Sequence, residues 1–182
     1  MALYLGDKKV CPTLTIEKTL PSMKSFFEAG GKCGYSTAQS FEGCWQPSDT
    51  KNVTDMEYMF YGCSKLTTIP QLDTSKVTYM SNTFSDCSSL TTIPQLDASN
   101  VMYTRYMLYN CSSLTAIHMI NINANLDISS STKFTREALV EIIGNLKAQT
   151  SGSKTLTMGS TNLAKLTDED KAVATGKGWT LA

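Results

Sequence analysis

One histidine, His118, is all that 182 residues supply. Ser-His-Asp and Cys-His catalysis both need an imidazole beside a nucleophile, so they have little to draw on. An excess of one charge is missing too, because 16 basic residues balance 16 acidic ones. Binding to phosphates wants a basic stripe, which sets nucleic acid aside as a partner. No apolar run reaches the roughly 18 residues of a membrane span. The start, Met-Ala-Leu-Tyr-Leu-Gly-Asp-Lys-Lys-Val, lacks the basic segment and long apolar core of a secretory signal. No two cysteines stand at C-x-x-C spacing, and there is no P-loop and no G-x-G-x-x-G. The expectation is a non-enzymatic protein without catalytic residues, cofactor or metal.

What the chain has is repetition. Cys63, Cys87 and Cys111 fall 24 residues apart, and each opens the same phrase. The copies read Cys63-Ser-Lys-Leu-Thr-Thr-Ile-Pro-Gln-Leu-Asp, Cys87-Ser-Ser-Leu-Thr-Thr-Ile-Pro-Gln-Leu-Asp and Cys111-Ser-Ser-Leu-Thr-Ala-Ile-His-Met-Ile-Asn. A fixed period of this length marks a stacked architecture in which no unit buries its apolar face alone. With 41% hydrophobic and 18% charged residues, the composition is that of a globular chain and not a disordered one.

Within a copy, Val77, Met80 and Phe84 sit at i, i+3, i+7, one face of a helical turn, and Val53, Met56 and Phe60 match them. The third copy reads Val101, Thr104, Leu108, so one core position has become polar. Leu90-x-x-Ile93-Pro-x-Leu96 follows at i, i+3, i+6, which suits a tightly curved extended segment. The Asp49, Asp73 and Asp97 ladder reads as turn and capping chemistry before it reads as calcium, which wants six to eight oxygens in one place. Cysteines at one register position of a stack face inward as small hydrophobes, a stronger reading than a disulfide framework. His118 replaces Pro70 and Pro94 of the other copies, as a substitution at the edge of the repeat.

The fold class expected is an α/β solenoid: a leucine-rich repeat with 24-residue coils and atypical N- and C-terminal caps. Residues 49–121 are the repeats. Residues 1–48 hold a short β element, a helix opened by Ser22, and the anchors Phe41 and Trp45. They read as a terminal cap or as an element that attaches the protein to something larger. Residues 122–182 read as a C-terminal leucine-rich cap with two helices. Thr135 caps the first, which carries Leu139, Ile142, Ile143 and Leu146 on one face. Thr167-Asp-Glu-Asp opens the second. Leu126-Asp-Ile128, Lys154 to Met158 and Trp179 to Leu181 supply extended segments between and after them.

Positions that differ between copies are where tyrosine collects. Asp55, Tyr79 and Tyr103 share one register, Tyr58, Asn82 and Tyr106 another, and Tyr61, Ser85 and Tyr109 a third. Tyrosine offers a flat apolar face and one hydroxyl at low entropic cost, which suits recognition of a glycan or a protein surface. Tyr58, Tyr61, Tyr79, Tyr103, Tyr106 and Tyr109 are therefore the candidate ligand-binding residues. The competing role is cover for coil edges or packing between subunits. The pairs Thr67-Thr68 and Thr91-Thr92 read as solvated strand residues.

The phrase Asp73-Thr-Ser-Lys-Val-Thr-Tyr-Met, with Phe84-Ser-Asp-Cys-Ser-Ser-Leu, resembles the leucine-rich repeats of bacterial surface protein A type. The resemblance covers about 49–120. The tail, Leu156-Thr-Met-Gly-Ser-Thr-Asn-Leu through Lys177-Gly-Trp-Thr-Leu-Ala, looks like the ending of such proteins in gut bacteria and their phages. The resemblance implies surface adhesion modules or virion appendage proteins. The chain shows no export signal, lipobox cysteine or wall anchor, which points the expectation to a phage virion structural or appendage protein, a fibre or decoration subunit. Its partners would be other virion proteins or a host-surface protein or glycan, and its repeat face would recognise that surface. By analogy with phage fibres it would form a homo-oligomer, a trimer. The alternative is a bacterial cell-surface adhesin module that binds host or neighbouring-cell protein or glycan. A third class is an intracellular scaffold.

Overall fold

A computed structural model describes residues 50–182 and, as backbone, two short strands near the start, β1 (Tyr4–Leu5) and β2 (Lys8–Lys9). These two pair antiparallel, Tyr4 opposite Lys9 and Leu5 opposite Lys8. The Ser22 helix, Phe41, Trp45, Asp49 and the cysteines before Cys63 lie outside the described residues.

From Thr50 onward the chain follows a period of three. In the copy beginning at Asp73, the buried side chains are Thr74, Val77, Met80, Thr83, Phe84, Ser85, Cys87, Leu90, Ile93 and Leu96. The backbone explains that spacing. Val77, Thr83, Cys87 and Leu90 each donate their N–H to the carbonyl three residues back, at 2.9 to 3.2 Å. Each such turn brings one more side chain round to the interior. The expected face of Val77, Met80 and Phe84 is real, but it belongs to a run of separate turns and not to an α-helix.

Other N–H groups reach the next copy. Met56, Tyr58, Phe60 and Gly62 donate to the carbonyls of Tyr79, Ser81, Thr83 and Ser85, and Met80, Asn82, Phe84 and Asp86 donate to those of Tyr103, Arg105, Met107 and Tyr109. Asp55, Tyr79 and Tyr103 form successive parallel bridges. Strand β3 (Thr92–Ile93) pairs parallel with β4 (Ala116–Ile117), again 24 residues on. Each copy thus lies on the previous one in parallel register, and the backbone groups that a lone copy would leave bare are satisfied by its neighbours.

The side chains between copies follow the same register. Phe60 stacks on Phe84 with centroids 5.6 Å apart. The thiols of Cys87 and Cys111 donate to the carbonyls of Phe60 and Phe84 at 3.1 and 3.0 Å. Cys63, Cys87 and Cys111 are free and buried, and burial pushes the Cys63 and Cys111 thiols up to about 12 and Cys87 higher still. Each large side chain so buried contributes about 1.5–3 kcal/mol against the entropy of ordering a coil. The third copy keeps its core where Thr104 broke the pattern. Met107 is buried, and the Thr104 hydroxyl, half-buried, donates to the Asn125 carbonyl.

The tail adds helices to a three-stranded parallel sheet of β5 (Leu126–Asp127), β6 (Lys154–Thr157) and β7 (Trp179–Leu181), with β6 in the middle. Leu126 pairs with Leu156, and Leu156 with Leu181. Helix α1 (Arg136–Gly144) is capped by Thr135, whose side chain accepts from the Ala138 N–H, and it buries Leu139, Ile142 and Ile143. Helix α2 (Gly159–Leu163) is a third helix in a stretch read as holding two. It holds the buried Asn162, whose amide donates to the Ser131 and Met158 carbonyls. Helix α3 (Asp168–Gly176) begins in a capping box between Thr167 and Asp170. Arg136 on α1 grips Asp170 with two 2.8 Å bonds.

Candidate functional site

The turns that build the coils also set out the tyrosines. Two registers sit at positive φ. One holds Gly62, Asp86 and Asn110, residue types that tolerate the left-handed region. The other holds Tyr58, Asn82 and Tyr106, with φ of 58°, 56° and 56°. Asn82 shows what the backbone prefers there. A bulky aromatic in the same conformation costs on the order of 1–2 kcal/mol. Two tyrosines hold a position whose backbone they do not suit, and such outliers cluster where a side chain serves function.

The rings are arranged in two ways. Tyr58 meets Tyr61 edge to face at 5.7 Å and 64°, and Tyr106 meets Tyr109 at 5.9 Å and 71°. The two pairs share one geometry, as expected of copies related by a double step of the stack. Between them the middle copy has no ring. Asn82 and Ser85 stand there, and Ser85 is buried. In the adjacent register Tyr79 and Tyr103 stack flat at 4.8 Å and 3°. Tyr79, Tyr103, Tyr106 and Tyr109 are exposed, and Tyr58 and Tyr61 are half-buried. Tyr79 and Tyr103 thus lie on the bridges, and the other four candidates on the turns that follow them.

Two hollows flank the Tyr106–Tyr109 pair. One, of about 340 Å³, runs to Tyr61 across a floor of Asn82, Ser85 and Asp86. The other, of about 240 Å³, is closed by Asp127, Ser129 and Ser130. Each has a carboxylate half engaged. Asp86 Oδ1 accepts from the Asn110 amide at 3.0 Å, and Asp127 Oδ1 accepts from the Ser129 N–H and hydroxyl. Both Oδ2 atoms and the Asn82 amide make no hydrogen bond among the described residues. Arg105 lies over the Tyr106 ring at 4.9 Å and touches its hydroxyl at 3.3 Å, within the range of a cation–π contact. Its guanidinium forms no ion pair among the described residues.

Sequence reasoning did not reach Asp86, Arg105, Asp127, Ser129 or Ser130. Asp86 and Arg105 could have been found by asking what stands beside the tyrosines in each copy. The other three could not, because Asn110 and Cys111 meet Ser130 and Ser131 only 20 residues on, where the period of 24 has already failed.

The aspartate ladder is turn chemistry. Asp73 and Asp97 each accept the N–H two residues on, from Ser75 and Ser99. Burial pushes the Asp97 carboxyl up, and the Ser99 N–H and Asn121 amide outweigh it, so its pKa falls below the ordinary value. The threonines do more than face water, since the Thr91 and Thr115 hydroxyls donate to the carbonyls of Thr67 and Thr91 one copy back. His118 sits on another side, its Nδ1 2.7 Å from Glu141 of α1, with both side chains nearly half exposed. A pair so wet holds α1 to the stack only weakly.

Among the described residues no helix is long and apolar enough to cross a membrane, and no group of three acidic, histidine or cysteine side chains could hold a metal ion. No curated protein and no solved structure matches the chain. A family model does match, over residues 22–139, more than half of the length and all of the repeats. The chain therefore belongs to the family described as Mycoplasma protein of unknown function, DUF285.

Proposed function

We propose that this is a non-enzymatic surface-recognition module. Its core is a leucine-rich-repeat solenoid, and its tyrosine-bearing turns are the recognition face. The observation that carries this reading is the exposure of Tyr79, Tyr103, Tyr106 and Tyr109 on the bridges and turns of adjacent copies, with two of the six candidate rings held at positive φ. Aromatic residues at such strain serve contact better than they serve the coil. Nothing in the core needs them, because Asn82 and Ser85 occupy two of the three registers in the middle copy without disturbing the stack.

The setting we propose is a phage virion, with the protein as a fibre or decoration subunit whose partners are other virion proteins and a host-surface protein or glycan. This rests on the likeness of the repeat phrase and tail to appendage proteins. The second reading is a bacterial cell-surface adhesin, favoured by a family whose description names a bacterium. Mass spectrometry of purified phage particles beside the cell-surface fraction separates the two. Stoichiometric recovery in particles supports the virion. Recovery on cells alone supports the adhesin, and recovery in the cytosol alone overturns both.

A further inference from the structure

We infer that the hollow between Tyr61 and the Tyr106–Tyr109 pair is a binding site for an uncharged pyranose ring, and that a second ring of the same oligosaccharide occupies the hollow beyond that pair. This rests on the surface-recognition reading and names its ligand class.

The spacing favours a sugar over a flat ring. Successive copies are one strand step apart, and Tyr79 and Tyr103, in adjacent copies, stand 4.8 Å apart. Tyr61 and Tyr109 are two copies apart, so their walls are roughly 10 Å from each other. A planar ring sandwiched between aromatic faces wants them about 7 Å apart, two contacts of ~3.5 Å. The wider slot suits a thicker body. A pyranose chair carries C–H bonds out of both faces and fills such a gap while presenting apolar hydrogens to the rings.

The polar groups favour a sugar over an aliphatic side chain. The floor supplies the unengaged Asp86 Oδ2 and the Asn82 amide, unpartnered among the described residues, and Arg105 stands against the Tyr106 ring that walls the slot. A carboxylate accepts from hydroxyls, an amide both donates and accepts, and a guanidinium donates. Together they match the edge of a hexose, where hydroxyls alternate in direction around the ring. The second hollow repeats the pattern with Asp127 Oδ2 and the Ser129 and Ser130 hydroxyls. An aspartate in each hollow disfavours acidic sugars. The two hollows share the Tyr106–Tyr109 wall, so a chain of linked sugars can cross it with a ring on each side.

The middle copy provides the sharpest test. Asn82 already holds the positive φ at which Tyr58 and Tyr106 stand, so Asn82→Tyr places a ring in the slot on a backbone known to carry one. The full chain would be titrated calorimetrically with maltohexaose, cellohexaose, mannohexaose and chitohexaose. At least one should bind saturably. Asn82→Tyr should abolish that binding with the melting temperature unchanged or slightly lower. Tyr109→Ala and Asp86→Ala should each weaken it at least tenfold, and Tyr79→Ala, off the slot, less than twofold. Tyr106→Asn should lose affinity while the melting temperature holds or rises, because asparagine suits the backbone better there. Failure of all four hexaoses to bind overturns the inference, as does binding that survives Asn82→Tyr. Either failure leaves the surface-recognition reading standing, since recovery on particles or cells does not depend on sugar.

Discussion

The coils and the tail solve the same problem by different means. Between Lys51 and Ile120 there is no α-helix and no strand longer than two residues. Order there comes from contacts repeated between copies: thiol to carbonyl, threonine to carbonyl, phenylalanine on phenylalanine. From Leu126 onward the chain returns to ordinary devices, with capped helices, a three-stranded sheet and the Arg136–Asp170 pair. The difference teaches where each part is vulnerable. A coil residue acts at its own level and at its neighbours'. A tail residue acts mostly within the tail, on its own element and those packed against it.

Removing a coil ring should therefore have the largest effect. Phe84→Ala empties a fully buried position stacked on Phe60 and should cost about 3–5 kcal/mol in urea unfolding. Val173→Ala, on the exposed face of α3, should stay within about 0.5 kcal/mol. Equal costs would erase the contrast.

The thiol ladder sharpens it next. The folded pKa values of Cys63 and Cys111, about 12, lie above the value of about 8.5 for an open chain. Their contribution is intact below about pH 8.5 and is lost as pH rises from there through the folded value. The slope is about 1.4 kcal/mol per pH unit for each thiol, until the folded thiol itself ionises. Cys111→Ala should thus lose less stability than the parent between pH 8 and 9.5. Peptide-level mass spectrometry after iodoacetamide at pH 8 should find Cys63, Cys87 and Cys111 unmodified in the folded protein. Rapid labelling would contradict the ladder.

A smaller effect belongs to the tail. Thr167→Ala removes half of the capping box of α3 and should cost about 1 kcal/mol. Hydrogen exchange should speed in α3 and leave the amides of Met80 and Phe84 unchanged. Exchange that speeds equally in the coils would mean that the two regions are not separable.

The sequence was legible where repetition or capping made one residue type necessary. The period, the inward cysteines, the Thr135 cap, the helix opening at Thr167 and the strand at Leu126 could all be read. Helix α2 could not, because Gly159-Ser-Thr-Asn-Leu163 is short and Met158 before it makes no side-chain cap. Nor could the His118–Glu141 contact, which joins a coil to a helix 23 residues later. The tyrosine registers were legible by comparing copies. Their backbone strain was not, since it follows from turns that only the stacked chain enforces.

The most direct test deletes residues 73–96, the whole middle copy. If 24 residues make one stacking unit, Leu72 runs into Asp97, Phe60 meets Leu108, and the shortened chain still melts cooperatively at a lower temperature. It should also bring Tyr61 beside Tyr109 and close the slot. Deleting residues 73–94 instead should leave no cooperative transition, because every inward position is then displaced. A 24-residue deletion that unfolds as completely as the 22-residue one would contradict the account.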